Sequence, residues 1–277
     1  MSNTAKYYFS TDEPDILPRT IHYLDKNLIL ICFNKRREED NKNDKVLGFG
    51  SYKHVHEAFD YRTGEVYARV VKFTEREEEC AALLKDISGV VKTIIVYKYE
   101  SPKRVKAKID KEIPGEEEIV VEKTVAIQEK IKGHRLSDLE DELTPEQKRV
   151  VVTTLLKTLG EIHSLGVFHD DLHRSNILID QNGHARIIDF GSAKIYDLTS
   201  LEEGYGRQKD MSCMADHIRV LYPNIVKNSE GFSFYNRLKE NTMSALDALE
   251  AFNQLDPASF QPSWRLRFNA VLRDLVY

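Results

Sequence analysis

The order of apolar and polar positions divides the chain into segments of different period. Residues 1 to 33 hold short apolar stretches, the longest being Leu28–Phe33, and Asn34 to Lys45 then carries five basic and four acidic side chains with almost nothing to bury. That run predicts a linker or exposed loop. From Val46 to about Phe73, apolar and β-branched residues alternate around two turn signals, Gly48-Phe-Gly50 and Thr63-Gly64, which predicts an antiparallel sheet. The period then changes, because Cys80, Leu83, Leu84 and Ile87 fall at i, i+3, i+4 and i+7 and predict a helix over Glu75–Ile87. Thr93–Tyr99 and Ile119–Ile127 read as two strands of a long hairpin, joined by a charged stretch with the turn signal Pro114-Gly115.

The second half is more helical. Thr144-Pro-Glu-Gln147 supplies an N-cap, a first-turn proline and a capping-box glutamine before Val151, Val152, Leu155, Leu156, Leu159 and Ile162, and this helix should stop near Gly166. Asn176–Asp180 and His184–Ile188 flank Gln181-Asn-Gly183, where Asn-Gly predicts a type I′ hairpin. Beyond Asp216 the spacing is mostly helical, as in Met243, Leu246, Leu249 and Phe252.

Composition narrows the function classes. Of 277 residues, 41% are hydrophobic and 31% charged, enough for a sizeable core beneath a charged surface. The net charge of −5 and the lack of a large Lys/Arg block argue against a nucleic-acid partner. The longest apolar run is far short of the roughly 20 residues that span a bilayer, so no membrane anchor is expected. The first residues lack the apolar segment of a secretory signal, and Cys32, Cys80 and Cys213 form no metal or redox motif. A reducing, cytoplasmic setting is the expectation.

The chemistry concentrates in His169-Asp-Asp-Leu-His-Arg-Ser-Asn176 and Asp189-Phe-Gly191, which flank the Asn-Gly hairpin. Asp171 precedes Asn176 by 5 residues and Asn176 precedes Asp189 by 13. This order resembles the protein-kinase superfamily, with its H-x-D-x-x-x-x-N loop and D-F-G motif. Over roughly residues 46 to 220 the resemblance implies an α+β, bilobal fold, a small antiparallel β lobe with one helix and a mainly helical large lobe, with ATP and Mg²⁺ between them. The limits implied are 1–45 for an N-terminal extension and linker, 46–131 for the small lobe, and 132–277 for the large lobe with a helical tail. By resemblance Asp171 takes the acceptor's proton, while Asn176 and Asp189 hold metal, consistent with a hard cation's preference for oxygen ligands. His169 and Phe190 would pack in an internal spine.

Leu47-Gly-Phe-Gly-Ser-Tyr-Lys-His-Val55 resembles the glycine-rich loop with Lys53 at the third glycine, so Leu47, Gly48, Gly50, Ser51 and Val55 become nucleotide contacts. Ala68 becomes a further nucleotide contact, and Ala126–Ile131 resembles the hinge, with Gln128 as gatekeeper and backbone groups of Glu129 and Ile131 meeting adenine. Departures accompany this likeness. Val70 stands where the family has its third-strand lysine, and Lys72, two residues on and on the same strand face, is the expected replacement. Cys80 occupies the helix-glutamate position, leaving either Glu77 or Glu79 to pair with Lys72 or no such pair at all. Asp170 replaces the arginine that reads an activation-loop phosphate, no A-P-E follows, and His173 resembles small-molecule phosphotransferases. Asp210 resembles the aspartate that braces the catalytic loop, a helix N-cap being its alternative. The leading expectation is transfer of the ATP γ-phosphate to Ser or Thr of a protein; a nucleotide- or partner-binding pseudokinase scaffold and a small-molecule kinase stay open beside it.

Overall fold

The computed structural model describes residues 20–25, 28–32, 46–49, 53–60, 63–107, 115–139, 142–197 and 203–255. They belong to two compact units, one running through Glu78 and resuming over Lys92–Lys130, the other comprising Glu79–Val91 and the chain from Ile131 onward. The division falls inside helix α1 (Glu75–Leu83).

The first unit is a seven-stranded antiparallel sheet. Its strands are β1 (Thr20–Asp25), β2 (Leu28–Cys32), β3 (Val46–Phe49), β4 (His54–Asp60), β5 (Val66–Val71), β6 (Thr93–Ala107) and β7 (Gly115–Glu129), in the order β1-β2-β4-β5-β7-β6 with β3 also on β4. Two features depart from the expected limits. β1 and β2 lie in what composition suggested was an extension, and residues 79–91 belong to the second unit. The first has a backbone reason: β3 reaches only His54–His56 of β4, so the remaining edge groups at Ala58–Asp60 need partners, and β2 provides them. The β6–β7 ladder is also longer than the apolar pattern suggested. Its register continues through the charged stretch to Ala107↔Gly115.

The second unit contains β8 (Gly133–Arg135), α2 (Leu136–Leu139), α3 (Pro145–Ser164), β9 (Val167–Phe168), β10 (Ile177–Asp180), β11 (Ala185–Ile187), β12 (Lys194–Ile195), α4 (Glu203–Leu221), α5 (Ser229–Lys239) and α6 (Ala245–Gln254). α3 starts as its sequence dictates: the Thr144 hydroxyl accepts the Gln147 N–H while the Gln147 side chain accepts the Thr144 N–H. Its stripe of Val151, Val152, Leu155, Leu156, Leu159 and Ile162 is fully buried at the centre of the unit's core. Leu84, Ile87 and Val90 join that core although α1 itself ends at Leu83.

The β10–β11 hairpin forms, but its turn differs from the predicted type. Asp180 and His184 close a three-residue loop in which Gly183 has φ of 80°, and Asp180 Oδ1 accepts the N–H groups of Asn182 and His184. The aspartate satisfies the turn's donors, so Asn182 need not adopt a positive φ. Among the described residues no helix is long and apolar enough to cross a membrane.

Residues 79–91 are fastened to the second unit by backbone bonds: Ile187 N–H donates to Gly89 O (2.8 Å) and Val91 N–H to Ile187 O (3.0 Å). This close approach requires glycine, since a Cβ on Gly89 would collide with the Thr158 hydroxyl of α3. Gly89→Ala is expected to destabilise the second unit by about 1–3 kcal/mol through overpacking, read as a lower urea midpoint by circular dichroism.

Candidate active site

The second unit assembles its site on the catalytic-loop segment His169–Asn176. Asp210 is central to it. Placed in the middle of α4 and fully buried, it is not an N-cap; its Oδ2 accepts the His169 N–H (2.8 Å) and the His163 Nε2–H (2.9 Å), and its Oδ1 accepts the Asp170 N–H (2.9 Å). Two turns along the same helix face, buried His217 donates from Nε2 to Leu172 O at 2.8 Å. α4 therefore grips the loop on both sides of Asp171. His217 carried a sequence signal that the motif search passed over, being a polar residue seven positions after Asp210 among Met211, Met214, Ala215 and Ile218, all buried.

The loop is tied internally as well. Buried His169 donates from Nε2 to Ile188 O (3.0 Å), accepts the Asp171 N–H at Nδ1 (3.3 Å), and stacks against Phe190 with ring centroids 4.9 Å apart. His163 stacks on Phe168 in the same way and so has a structural place. Asp170 has φ of 61°, a left-handed conformation that aspartate tolerates better than most side chains, and its carboxylate meets Lys209 Nζ at 3.1 Å. The residue in the arginine position is thus engaged by a lysine of α4.

Asp171, Asn176 and Asp189 are brought together by the hairpin. The Ile177↔Ile187 register continues into an Ile188 N–H bond to Asn176 O (2.9 Å), so Asn176 and Asp189 leave the open end of the hairpin side by side. Asn176 Nδ2 donates to Asp171 O at 3.0 Å, which leaves its carbonyl oxygen as the atom able to act as a ligand. Asp189 is left-handed at φ 63° and accepts the Gly191 N–H at 3.3 Å. An amide oxygen and a carboxylate from two loops are a donor set suited to Mg²⁺, which binds through one or two protein oxygens together with phosphate and water. Asp171 itself is half exposed, with His173 Nε2 3.6 Å from its Oδ2.

The first unit holds the residues expected to meet nucleotide. Leu47 and Gly48 lie in β3, Val55 in β4 opposite Val70, and Ala68 in β5 opposite Gln128; Gly50 and Ser51 lie outside the described residues. Glu129 ends β7, where its N–H donates to Lys92 O (2.9 Å), and Ile131 is the first residue of the second unit's main segment. Gln128 Nε2 donates to Thr93 Oγ1 at 3.1 Å.

The expected role of Lys72 needs correction. Lys72 is exposed in a bend after β5, with φ of 66° and its N–H donated to Thr124 O, and it forms no ion pair among the described residues. Chain direction changes there, so the strand-face argument that placed its ammonium beside Val70 fails. Glu77 instead pairs with Lys53, Nζ to Oε1 at 2.6 Å, with side-chain exposures of 14% and 4%. The pairing joins residues 24 apart, and nothing in linear spacing announces it.

A protein kinase domain profile matches residues 41–211, and the chain belongs to the protein kinase family. It is similar to 3-phosphoinositide-dependent protein kinase 1 of Arabidopsis thaliana, 25% identical over 243 residues that make up 84% of this chain and 46% of that protein. It is 30% identical to mitogen-activated protein kinase 15 of Oryza sativa subsp. japonica over 56% of this chain and 30% of the relative, and 42% identical to serine/threonine-protein kinase MRCK gamma of Mus musculus over 21% and 4%. The chain spans less than half the length of each of these. Among the described residues, the antiparallel sheet and the helices have the kinase-like architecture.

Burial pushes the His217 pKa down, and the Leu172 carbonyl only partly offsets this. The folded state keeps His217 neutral where the unfolded chain takes up a proton, so this contribution to stability is full above the ordinary imidazole value of about 6.5 and declines as pH falls towards the lowered folded value. His217→Gln keeps an N–H donor and cannot titrate. Urea midpoints measured at pH 7.5, 6.5 and 5.5 should fall more steeply for wild type than for this variant; parallel profiles would contradict the assignment.

Proposed function

We propose that this chain is a Mg²⁺- and ATP-dependent protein kinase that transfers the γ-phosphoryl group to Ser or Thr hydroxyls. The observation that carries the reading is the convergence of Asp171, Asn176 and Asp189 on a loop held by Asp210 and His217. Phosphoryl transfer asks a protein chiefly for positioning and charge stabilisation, and loops tied at both ends to a buried helix supply the first. Asp171 orients the acceptor hydroxyl and takes its proton as the hydroxyl oxygen bonds to the γ-phosphorus and the bond from that phosphorus to the β,γ-bridging oxygen breaks, releasing ADP. Asn176 and Asp189 hold the metal through oxygen. Bound there, Mg²⁺ would offset the charge on the phosphate oxygens.

Protein hydroxyls as acceptors are supported by the names of the relatives. A second reading, a small-molecule acceptor, is favoured by the 13 residues separating Asp189 from α4, little chain on which to dock a peptide, and by His173 beside Asp171. A reducing, cytoplasmic compartment belongs to the proposal.

Incubation with Mg²⁺ and radiolabelled ATP, against a mixture of Ser/Thr peptides and separately a pool of hydroxylated metabolites, separates the acceptors. Wild type is expected to label peptide, with Asp171→Ala about 10²- to 10⁴-fold slower. Equal labelling by the two proteins would overturn the reading, and labelling confined to metabolites would select the second.

A further inference from the structure

We propose that Lys53, from the segment that leads into the strand next to the usual one, is the lysine that holds the nucleotide's phosphates, and that Glu77 is its positioning residue. The inference rests on the phosphotransferase reading above and adds a residue to it. Val70, at the position where a lysine is expected, is buried and apolar. The β4–β5 register sets Val55 opposite Val70 and His54 opposite Val71. Lys53 lies one residue before β4 and two before Val55, so the segment entering the strand carries it towards Val70, and its pairing with Glu77 holds its Nζ there. A lysine's stem has four carbons, so an ammonium launched from Lys53 can serve the region that a lysine at residue 70 would serve. Lys72, the other candidate, is removed by its left-handed backbone and exposed side chain.

Glu77 is built to hold that ammonium. Its Oε2 accepts the Thr74 N–H (2.9 Å) and hydroxyl (3.0 Å) while the Thr74 hydroxyl accepts the Glu77 N–H (3.2 Å), a capping box at the start of α1. With one oxygen fixed by the cap, the other is presented to Lys53 Nζ at 2.6 Å. A nearly buried ion pair is weak as a stabilising device, because apolar residues of similar volume serve as well or better. It is well suited to keeping an ammonium charged and aimed at an incoming anion.

The test compares ATP with adenosine, which shares the base and sugar but lacks phosphates. Equilibrium binding of Mg-ATP and of adenosine, measured by calorimetry, is set beside initial transfer rates for wild type, Lys53→Met, Lys72→Met and Glu77→Gln. Lys53→Met should lose transfer by about 10²-fold, the scale of removing one charge-stabilising donor, and should bind ATP more weakly while retaining adenosine affinity. Glu77→Gln keeps the capping box and should show the same selective loss in smaller measure, and Lys72→Met should behave as wild type. A purely structural Lys53 would weaken both ligands together and overturn the assignment, as would a selective ATP loss in Lys72→Met. If wild type binds ATP without transferring phosphate, the kinase reading fails alone and the ATP-to-adenosine ratio still decides Lys53. If wild type transfers phosphate and Lys53→Met does so equally well, the Lys53 assignment fails alone. Binding of neither ligand by wild type overturns both.

Discussion

A carboxylate removed from water costs several kcal/mol unless its lone pairs are used, and Asp210 uses them on three donors from two other segments of the chain. Its own backbone is consumed by α4, which leaves the side chain available for the loop. Convergence of two consecutive amides on one carboxylate fixes the path of the chain at His169 and Asp170, and the left-handed φ of Asp170 accompanies that path. From there the rest follows in order. His169 reaches Ile188, Asn176 reaches the Asp171 carbonyl, and the hairpin returns Asp189 beside Asn176. The polar groups of the candidate site are thus ordered by polar groups outside it, and these in turn are ordered by burial.

Much of this was legible in the residues. The Thr144 capping box, the stripe of α3 and the hairpin with Gly183 are local signals, each set within a few positions, and each formed where its chemistry required. The spacing of Asn176 and Asp189 is local in the same sense, since a hairpin of fixed length sets them side by side. What could not be read was long-range in the sheet. The pairing of β2 with the far half of β4 depends on an edge that β3 leaves uncovered, a property of the assembled sheet and of no single segment.

The lysine shows the same limit more sharply. Counting along β5 treats a functional position as a place in one strand, whereas on a sheet it is a patch of surface that two strands can reach. Val70 and Lys53 are far apart in sequence, yet Lys53 immediately precedes the strand that pairs with Val70. A one-dimensional comparison therefore reads Val70 as a loss and Lys53 as an irregular glycine loop, although the relocation proposed above would account for both. Lys72 misled for a complementary reason: its strand parity was right, but the strand had already ended.

The two oxygens of Glu77 give α1 a further property. One closes the first turn of the helix and the other neutralises an ammonium, so a single carboxylate serves both local helix formation and long-range charge pairing. The two equilibria are thermodynamically linked: fraying of that turn releases the lysine, and anything that draws the lysine away loosens the turn. A binding partner that only stabilised or only unravelled the first turn of this short helix would thereby adjust the charge that Lys53 presents without touching Lys53.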